Sequence, residues 1–225
     1  MNIQNQDMEC VIPKETFEKL RDDRQFIRML QLARFQNQLS FCIAAVPSIS
    51  DPHHAMYRDS RQLINAMLFG SAILFEGIGQ LKDAMAHFKW YATYKNDFRP
   101  FIKDSDTNRV RERYLKQLRN TSVSHVDSSI IADTLKWVTY EKYALLGGSK
   151  ESSTIYYPLA DNIGFTAAMG FHENDEAEMV TILDYFQTWS KVTVAFNAVV
   201  NKLILEYMEK KGWGVSARTF EDVSV

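Results

Sequence analysis

The stretch "LINAMLFGSAILFEGIGQLKDAMAHF" (63–88) decides the fold class of this chain. Apolar and glycine positions recur in it at alternating steps of three and four residues, the spacing that places side chains on one face of an α-helix. The glycines cost helix propensity, but they let a neighbouring helix approach closely. We expect a long helix over about 57–94, broken by the residues from Asn96 to Pro100. Its apolar stripe contains Leu63, Met67, Gly70, Leu74, Gly77, Leu81, Met85 and Phe88.

Helical spacing also predicts elements on both sides of this stretch. The first helix begins near Pro13, which fits a first helical turn, and runs through "ETFEKLRDDRQFIRMLQLARFQNQLSFCIAAV" (15–46) until Pro47. A third helix is expected at about 105–120. A fourth is expected at about 128–146, where two glycines end it.

The C-terminal helix is the clearest of the set. Asn174 or Asp175 can cap it, acidic residues fill its first turn, and Lys210-Lys211-Gly212 end it. Residues 149–172 have no helical period and predict a long loop, with a short strand at "STIYY". The sequence therefore predicts an all-α, up-and-down bundle of long helices that forms one domain over residues 1–225.

Charge and cysteine usage narrow the functional classes. The formal net charge is −2, so no global basic field points to nucleic acid, and any RNA binding must use a local patch. Cys10 and Cys42 lack metal-ligand spacing and predict a reducing, cytoplasmic environment. The N-terminal residues "MNIQNQDMEC" do not resemble a signal peptide, and the longest apolar stretch (66–79) is too short to span a membrane. We expect a soluble protein.

Metal and cofactor sites are not predicted. Helical bundles that bind two iron ions use Glu-x-x-His pairs, and no glutamate in this chain has a histidine three residues later. His53-His54 lies beside prolines, and Asp83 with His87 forms only one i, i+4 pair. No glycine-rich phosphate loop is present either.

The stretch "LRNTSVSH" (118–125) offers the clearest chemistry. Arginine supplies a fixed fork of donors for a phosphoryl group, and histidine can transfer a proton near neutral pH. The preceding "RVRERYLKQLR" (109–119) forms a local basic patch, from which Arg109, Arg113 and Lys116 are expected to contact substrate. Composition and spacing alone favour a plainer interpretation, a solvated basic helix with a polar end.

A geometric condition applies to the catalytic interpretation. Arg119 and His125 are six residues apart, which places them on separate faces of a straight helix. They converge only if the helix breaks between Thr121 and Ser124, whose hydroxyls compete for backbone hydrogen bonds. A second copy of the chain could also bring the two groups together.

Arg119, Asn120 and His125 resemble the signature of the HEPN superfamily, an arginine followed by a polar residue and then by a histidine after a short gap. The all-α organisation is similar across most of the chain. The resemblance implies a metal-independent endoribonuclease that works as a homodimer without a cofactor, in toxin, phage-defence or RNA-processing roles, where an antitoxin or another protein can be a partner. It implies that Arg119 contacts the scissile phosphate, that His125 transfers a proton, and that Asn120 orients one of these groups.

Glu76 is a candidate supporting residue, and two other functions stay open. Its carboxylate lies among apolar residues and either faces water or holds Arg119 or another motif-region arginine by a salt bridge. The chain could instead be a non-catalytic helical module that binds RNA, a nucleotide or a protein. A purely structural protein is the third alternative, with residues 149–172 at an interface.

Overall fold

In a computed structural model, the structure describes residues 7–9, 12–44, 56–115, 175–213 and 216–218, together with positions 132, 135, 136 and 163. The predicted loop over 149–172 and nearly all of the predicted helix over 128–146 lie outside these residues. The described elements are β1 (Asp7–Glu9), α1 (Lys14–Leu20), α2 (Arg24–Ala44), α3 (Met56–Met85), π-helix π1 (Tyr94–Phe98), α4 (Arg99–Lys103), α5 (Ser105–Arg109), π-helix π2 (Val110–Leu115), α6 (Asp175–Lys210) and β2 (Ser216–Arg218).

The protein is an all-α bundle, as the sequence predicts. Helix α3 returns alongside α2, because Gln31 contacts Gln80 and a side chain at Gly70 would meet Cys42. The short helices between 92 and 115 then run back along α6. We call residues 92–115 the short-helix segment. Its successive contacts pair Ala92 with Glu206, Asp97 with Lys202, Phe101 with Phe196, Asp106 with Lys191 and Arg109 with Asp184.

The core lies where α2, α3 and α6 meet, and aromatic rings from α6 fill it. Phe196, Tyr185 and Tyr207 are fully buried, as are most of the predicted stripe residues of α3. The two stripe glycines allow this close packing. A Cβ at Gly70 would lie 2.7 Å from the Trp189 ring, and one at Gly77 would lie 3.0 Å from the Phe196 ring. The interpretation that these glycines let a neighbouring helix approach is confirmed.

The first predicted helix is two helices. The prediction of one continuous helix here is wrong, because the chain turns at Arg21 and Asp22, between α1 and α2. The Asp23 carboxylate then accepts hydrogen bonds from the backbone N–H groups of Gln25 and Phe26, at 2.8 and 3.1 Å, and so caps α2. Lys211 also contacts this carboxylate at 3.2 Å, which ties the cap to the end of α6.

The second predicted helix ends earlier than expected. It stops at Met85 rather than near 94, and the predicted break from Asn96 to Pro100 is instead helical. Pro100 lies in the first turn of α4, directly after the π-helical turn π1. This helical run ends at Asp104, whose side chain accepts from the Thr107 N–H at 2.9 Å and caps α5.

The C-terminal helix ends where the sequence predicts. Gly212 has φ 70°, the left-handed conformation that closes a helix. Beyond it, Trp213 packs edge-on against Tyr207 and Phe26, and β2 pairs antiparallel with β1. Within the described part of the chain, no helix is long and apolar enough to cross a membrane.

Candidate functional site

The predicted catalytic residues lie just beyond the part of the chain that the structure describes. Arg119, Asn120 and His125 are outside it, as is Lys116, so their convergence stays a prediction. The described residues do include the segment that leads into the motif, α5 and π2, which contain Arg109 and Arg113. We call this segment the basic path. The described residues also include Glu76 on α3.

Helix π2 is anchored in the bundle immediately before the motif. Val110 and Leu115 are fully buried, and the helix contacts both α3 and α6. Leu115 is four residues before Arg119, so the chain enters the motif from a fixed point. Single π-helical turns occur frequently at functional sites, because the extra residue in each turn shifts side chains out of the ordinary helical register.

Arg109 lies on the α6 side of this path, where its charge is neutralised. Its guanidinium contacts the Asp184 carboxylate at 3.0 Å, the Thr188 hydroxyl at 2.9 Å and the Asp106 carboxylate at 3.4 Å. Lys191 also pairs with Asp106. The hydrogen bond from Lys191 holds the pKa of Asp106 below its usual range, with Arg109 contributing, and the same bond raises the pKa of Lys191. Two cations and two anions balance here, which leaves little free charge for a phosphate.

Arg111 lies on the other side, against α3. Its guanidinium stacks over the Phe75 ring at 5.6 Å, an arrangement in which a cation faces the electron-rich surface of an aromatic ring. One nitrogen contacts Glu112 at 3.1 Å, whereas the buried Nε has no hydrogen-bond partner in the described part of the chain. Burial lowers the pKa of Lys82, and the positive charge of Arg111 lowers it further while Glu112 opposes the shift. Two cations, Arg111 and Lys82, and one anion, Glu112, therefore interact on the α3 side.

Glu76 follows Phe75 on α3 and is half-buried. Two residues correspond to about 200° of helical rotation, so Glu76 lies opposite the buried Leu74. Glu76 lies on the same side of α3 as Asp83, seven residues later, which is exposed. Its salt bridge to Arg119 involves a residue outside the described range and stays a prediction.

Sequence reasoning missed the partners that Arg109 and Asp106 have on α6, and it missed the electrostatic interaction of Lys82 with Arg111. Asp184 and Lys191 are far from the motif in sequence, and their spacing on α6 matches any solvated helix face. Lys82 is closer to a detectable signal, since it lies seven residues after Phe75 and so on the same face of α3. Lys82 lies near the basic path only because π2 packs against that face of α3.

Among the residues that the structure describes, no three histidine, cysteine, aspartate or glutamate side chains group closely enough to hold a metal ion. His53, His54 and His125 are outside that set. Compared with protein-family models, curated proteins and solved structures, the chain matches none of them.

Proposed function

We propose that the protein is a metal-independent endoribonuclease of the HEPN type. The observation that carries the proposal is the basic path into "LRNTSVSH", which is anchored between α3 and α6 and ends four residues before Arg119. An all-α bundle around that path is the fold that the resemblance implies. The chain's own residues supply the groups that the reaction needs.

The chemistry assigns one role to each motif residue. His125 takes the proton of a ribose 2′-OH, and the resulting oxygen attacks the adjacent phosphorus. Arg119 stabilises the negative charge that develops on the phosphoryl oxygens, and Asn120 orients the phosphate or the imidazole. The bond to the 5′-oxygen breaks, that oxygen takes up a proton, and the products carry a 2′,3′-cyclic phosphate and a 5′-hydroxyl. In a homodimer, the second copy brings a second motif to the same cleft.

The biological setting belongs to the same proposal. A cytoplasmic RNase without a cofactor would suit toxin or phage-defence roles, in which an antitoxin or another protein restrains the activity. RNA is then the substrate, and Arg113 and Lys116 contact its backbone. The ion pairs of Arg109 make it the least available of the three predicted contacts.

The first experiment measures cleavage of pooled cellular RNA in EDTA by the full chain. We expect the wild type to release fragments with 2′,3′-cyclic phosphate ends and to leave DNA of the same sequence intact, because DNA lacks the attacking hydroxyl. His125→Ala and Arg119→Ala should each lower the rate at least ~100-fold. His87→Ala, which changes a half-buried histidine at the end of α3, should cleave like the wild type.

The alternative function is a non-catalytic module that binds RNA through the same path. Because Arg109 is already ion-paired, Arg109→Ala serves as the control for Arg113→Ala in RNA-binding measurements. Arg113→Ala should weaken RNA binding and reduce the salt dependence by about one phosphate contact, whereas Arg109→Ala should change it much less. Salt-dependent binding by a folded wild type that cleaves nothing would establish the module and reject the nuclease. Absence of both binding and cleavage would reject both functions.

A further inference from the structure

A groove separate from the basic path runs between α2 and the outer face of α3. Its volume is about 1120 Å³, and its walls include Leu30, Phe41, Phe69 and Ile73. Phe41 is 75% exposed and Phe69 is 56% exposed, which is unusual for large apolar side chains that lie next to each other. Contiguous apolar surface of this kind marks interaction sites.

The α2 wall of the groove has the spacing of a coiled-coil seam. Positions 27, 30, 34, 37 and 41 of α2 follow steps of three and four residues. Leu30, which is 48% exposed, and Phe41 lie at the two apolar ends of this wall, and Ile27, also 48% exposed, continues the same face beyond the groove. Among the residues that the structure describes, no helix covers this face of α2. Alternating three and four steps are what one helix presents to another that lies along it.

The middle of the seam is polar and cationic. Arg34 and Asn37 line the groove between the two apolar ends, and Arg34 makes no ion pair with any residue that the structure describes. A guanidinium in the centre of an apolar seam calls for a carboxylate on the covering helix, since the charge is otherwise left beside apolar surface. A polar residue at one seam position also fixes the register of the pairing.

We propose that this groove is the docking site for an amphipathic helix of a partner protein, with apolar side chains at heptad spacing and an acidic side chain opposite Arg34. The proposal does not depend on the nuclease function. Ile73 in the groove and Phe75 under Arg111 are about 200° apart around α3, so a docked helix and the basic path occupy different sides of the bundle.

Two other occupants fit the groove less well. Arg34 is the central residue of the seam, so two-fold pairing of α2 with its copy would place two guanidinium groups against each other. Helices that lie on membranes carry lysines and arginines along their polar face, whereas the polar groove residues beside Arg34 on α2 are the carboxamides of Asn37 and Gln38. Charge complementarity thus favours an acidic helix.

The test uses two synthetic peptides of about 21 residues, three heptads with apolar seam positions, that differ only at the central one. One carries glutamate there and the other lysine. Fluorescence anisotropy with the full chain should show the glutamate peptide binding about tenfold more tightly. Arg34→Glu should reverse this preference, Phe41→Ala should weaken both peptides, and Leu205→Ala, an exposed leucine on α6, should change neither.

The remaining outcomes overturn the proposal. Equal binding of both peptides, or a preference that Arg34→Glu leaves unchanged, would mean general apolar adhesion. No binding of either peptide would also reject the site. Self-association in sedimentation that Phe41→Ala abolishes would identify a second copy as the occupant, and Phe41-dependent sedimentation with phosphatidylserine vesicles would identify a membrane. Arg34→Glu should cleave RNA at the wild-type rate, because the groove is separate from the basic path. The peptide-binding test therefore remains interpretable even if the protein proves not to be a nuclease.

Discussion

The long helices and the short-helix segment are held in place by different interactions. Helices α2, α3 and α6 bury aromatic and aliphatic side chains against one another, and two glycines bring α3 and α6 into contact. The short-helix segment buries some apolar residues, but along α6 it is also fixed by polar contacts at each turn. These are Glu206 with Thr93, Lys202 with Asp97, Lys191 with Asp106 and Arg109 with Asp184.

This difference predicts two levels of stability in one bundle. Exposed ion pairs contribute little each, whereas a buried aromatic side chain contributes several kcal/mol, so the short-helix segment should open at a lower free energy than the three long helices. Segments that move during function are drawn from the less stable parts of a protein. The short-helix segment also leads into the proposed catalytic motif, so its lower stability would allow movement next to the catalytic residues.

The largest expected effect tests the packing of the long helices. Gly70→Ala places a methyl group against the rigid, buried Trp189 ring and should lower the free energy of unfolding by about 1–3 kcal/mol. Gly79→Ala is the matched control on the same helix, because a Cβ there meets no described residue within 4 Å. Alanine's better helix propensity should make Gly79→Ala more stable by about 0.5–1 kcal/mol in urea titrations. Equal effects of the two substitutions would mean that α3 and α6 do not pack closely.

The next effect separates two buried tyrosines of α6. The Tyr207 hydroxyl has no hydrogen-bond partner among the residues that the structure describes, and burial raises the pKa of this phenol, with the charge of Asp23 adding to the effect. Tyr207→Phe removes an unsatisfied polar group and should stabilise the protein by about 1 kcal/mol. The Tyr185 hydroxyl bonds to the buried Ser71, so Tyr185→Phe should destabilise it by a similar ~1 kcal/mol.

Chemical denaturation of both tyrosine variants provides the measurement. Changes of opposite sign in the free energy of unfolding would confirm that the Tyr185 hydroxyl is hydrogen-bonded and the Tyr207 hydroxyl is not. A loss of stability in Tyr207→Phe would show that its hydroxyl has a partner, and it would weaken the view that the long helices are stabilised mainly by apolar packing.

The same contrast explains which parts of the fold the sequence predicts. The stripe of α3 and the end of α6 at Gly212 depend on residues close in sequence, so periodicity and capping rules identify them. The cap at the start of the short-helix segment does not. Ala92 and Thr93 donate their backbone N–H groups to Glu206, which is more than a hundred residues away and carries no local signal. Asp23 and Asp104 are caps within reach of sequence reasoning, since an aspartate before a helical run is a common N-cap.

Prediction of the candidate site from the sequence is limited in the same way. Residue chemistry identifies the basic path before Arg119, but not the division of its charge between two sides. Arg109 is neutralised by Asp184, and Arg111 stacks on Phe75, because of how π2 enters between α6 and α3. The π-helical register of this turn also shifts side chains away from the positions that a 3.6-residue period predicts.

The smallest expected effect tests the polar anchoring itself, at Glu206. Its carboxylate accepts the Ala92 N–H at 2.8 Å and the Thr93 N–H at 2.9 Å, as well as the Thr93 hydroxyl at 2.8 Å. Burial alone would raise the pKa of Glu206, but these hydrogen bonds, together with Lys210, lower it on balance. Glu206→Gln should therefore destabilise the protein at pH 7 by about 0.5–1 kcal/mol, the usual cost of weakening a helix cap.

The pH dependence of this difference follows from the sign of the shift. A carboxyl whose pKa is lowered by folding contributes its stability above its ordinary value of 4.5 and loses that contribution as the pH falls through the lowered value. The gap between wild type and Glu206→Gln should be constant near neutral pH and close below about pH 4. Amide hydrogen exchange at pH 7 should show faster exchange in residues 92–103 of the variant and unchanged protection in α3. Equal acceleration in α3 would mean that the segment and the long helices unfold as one unit, and the two levels of stability would not exist.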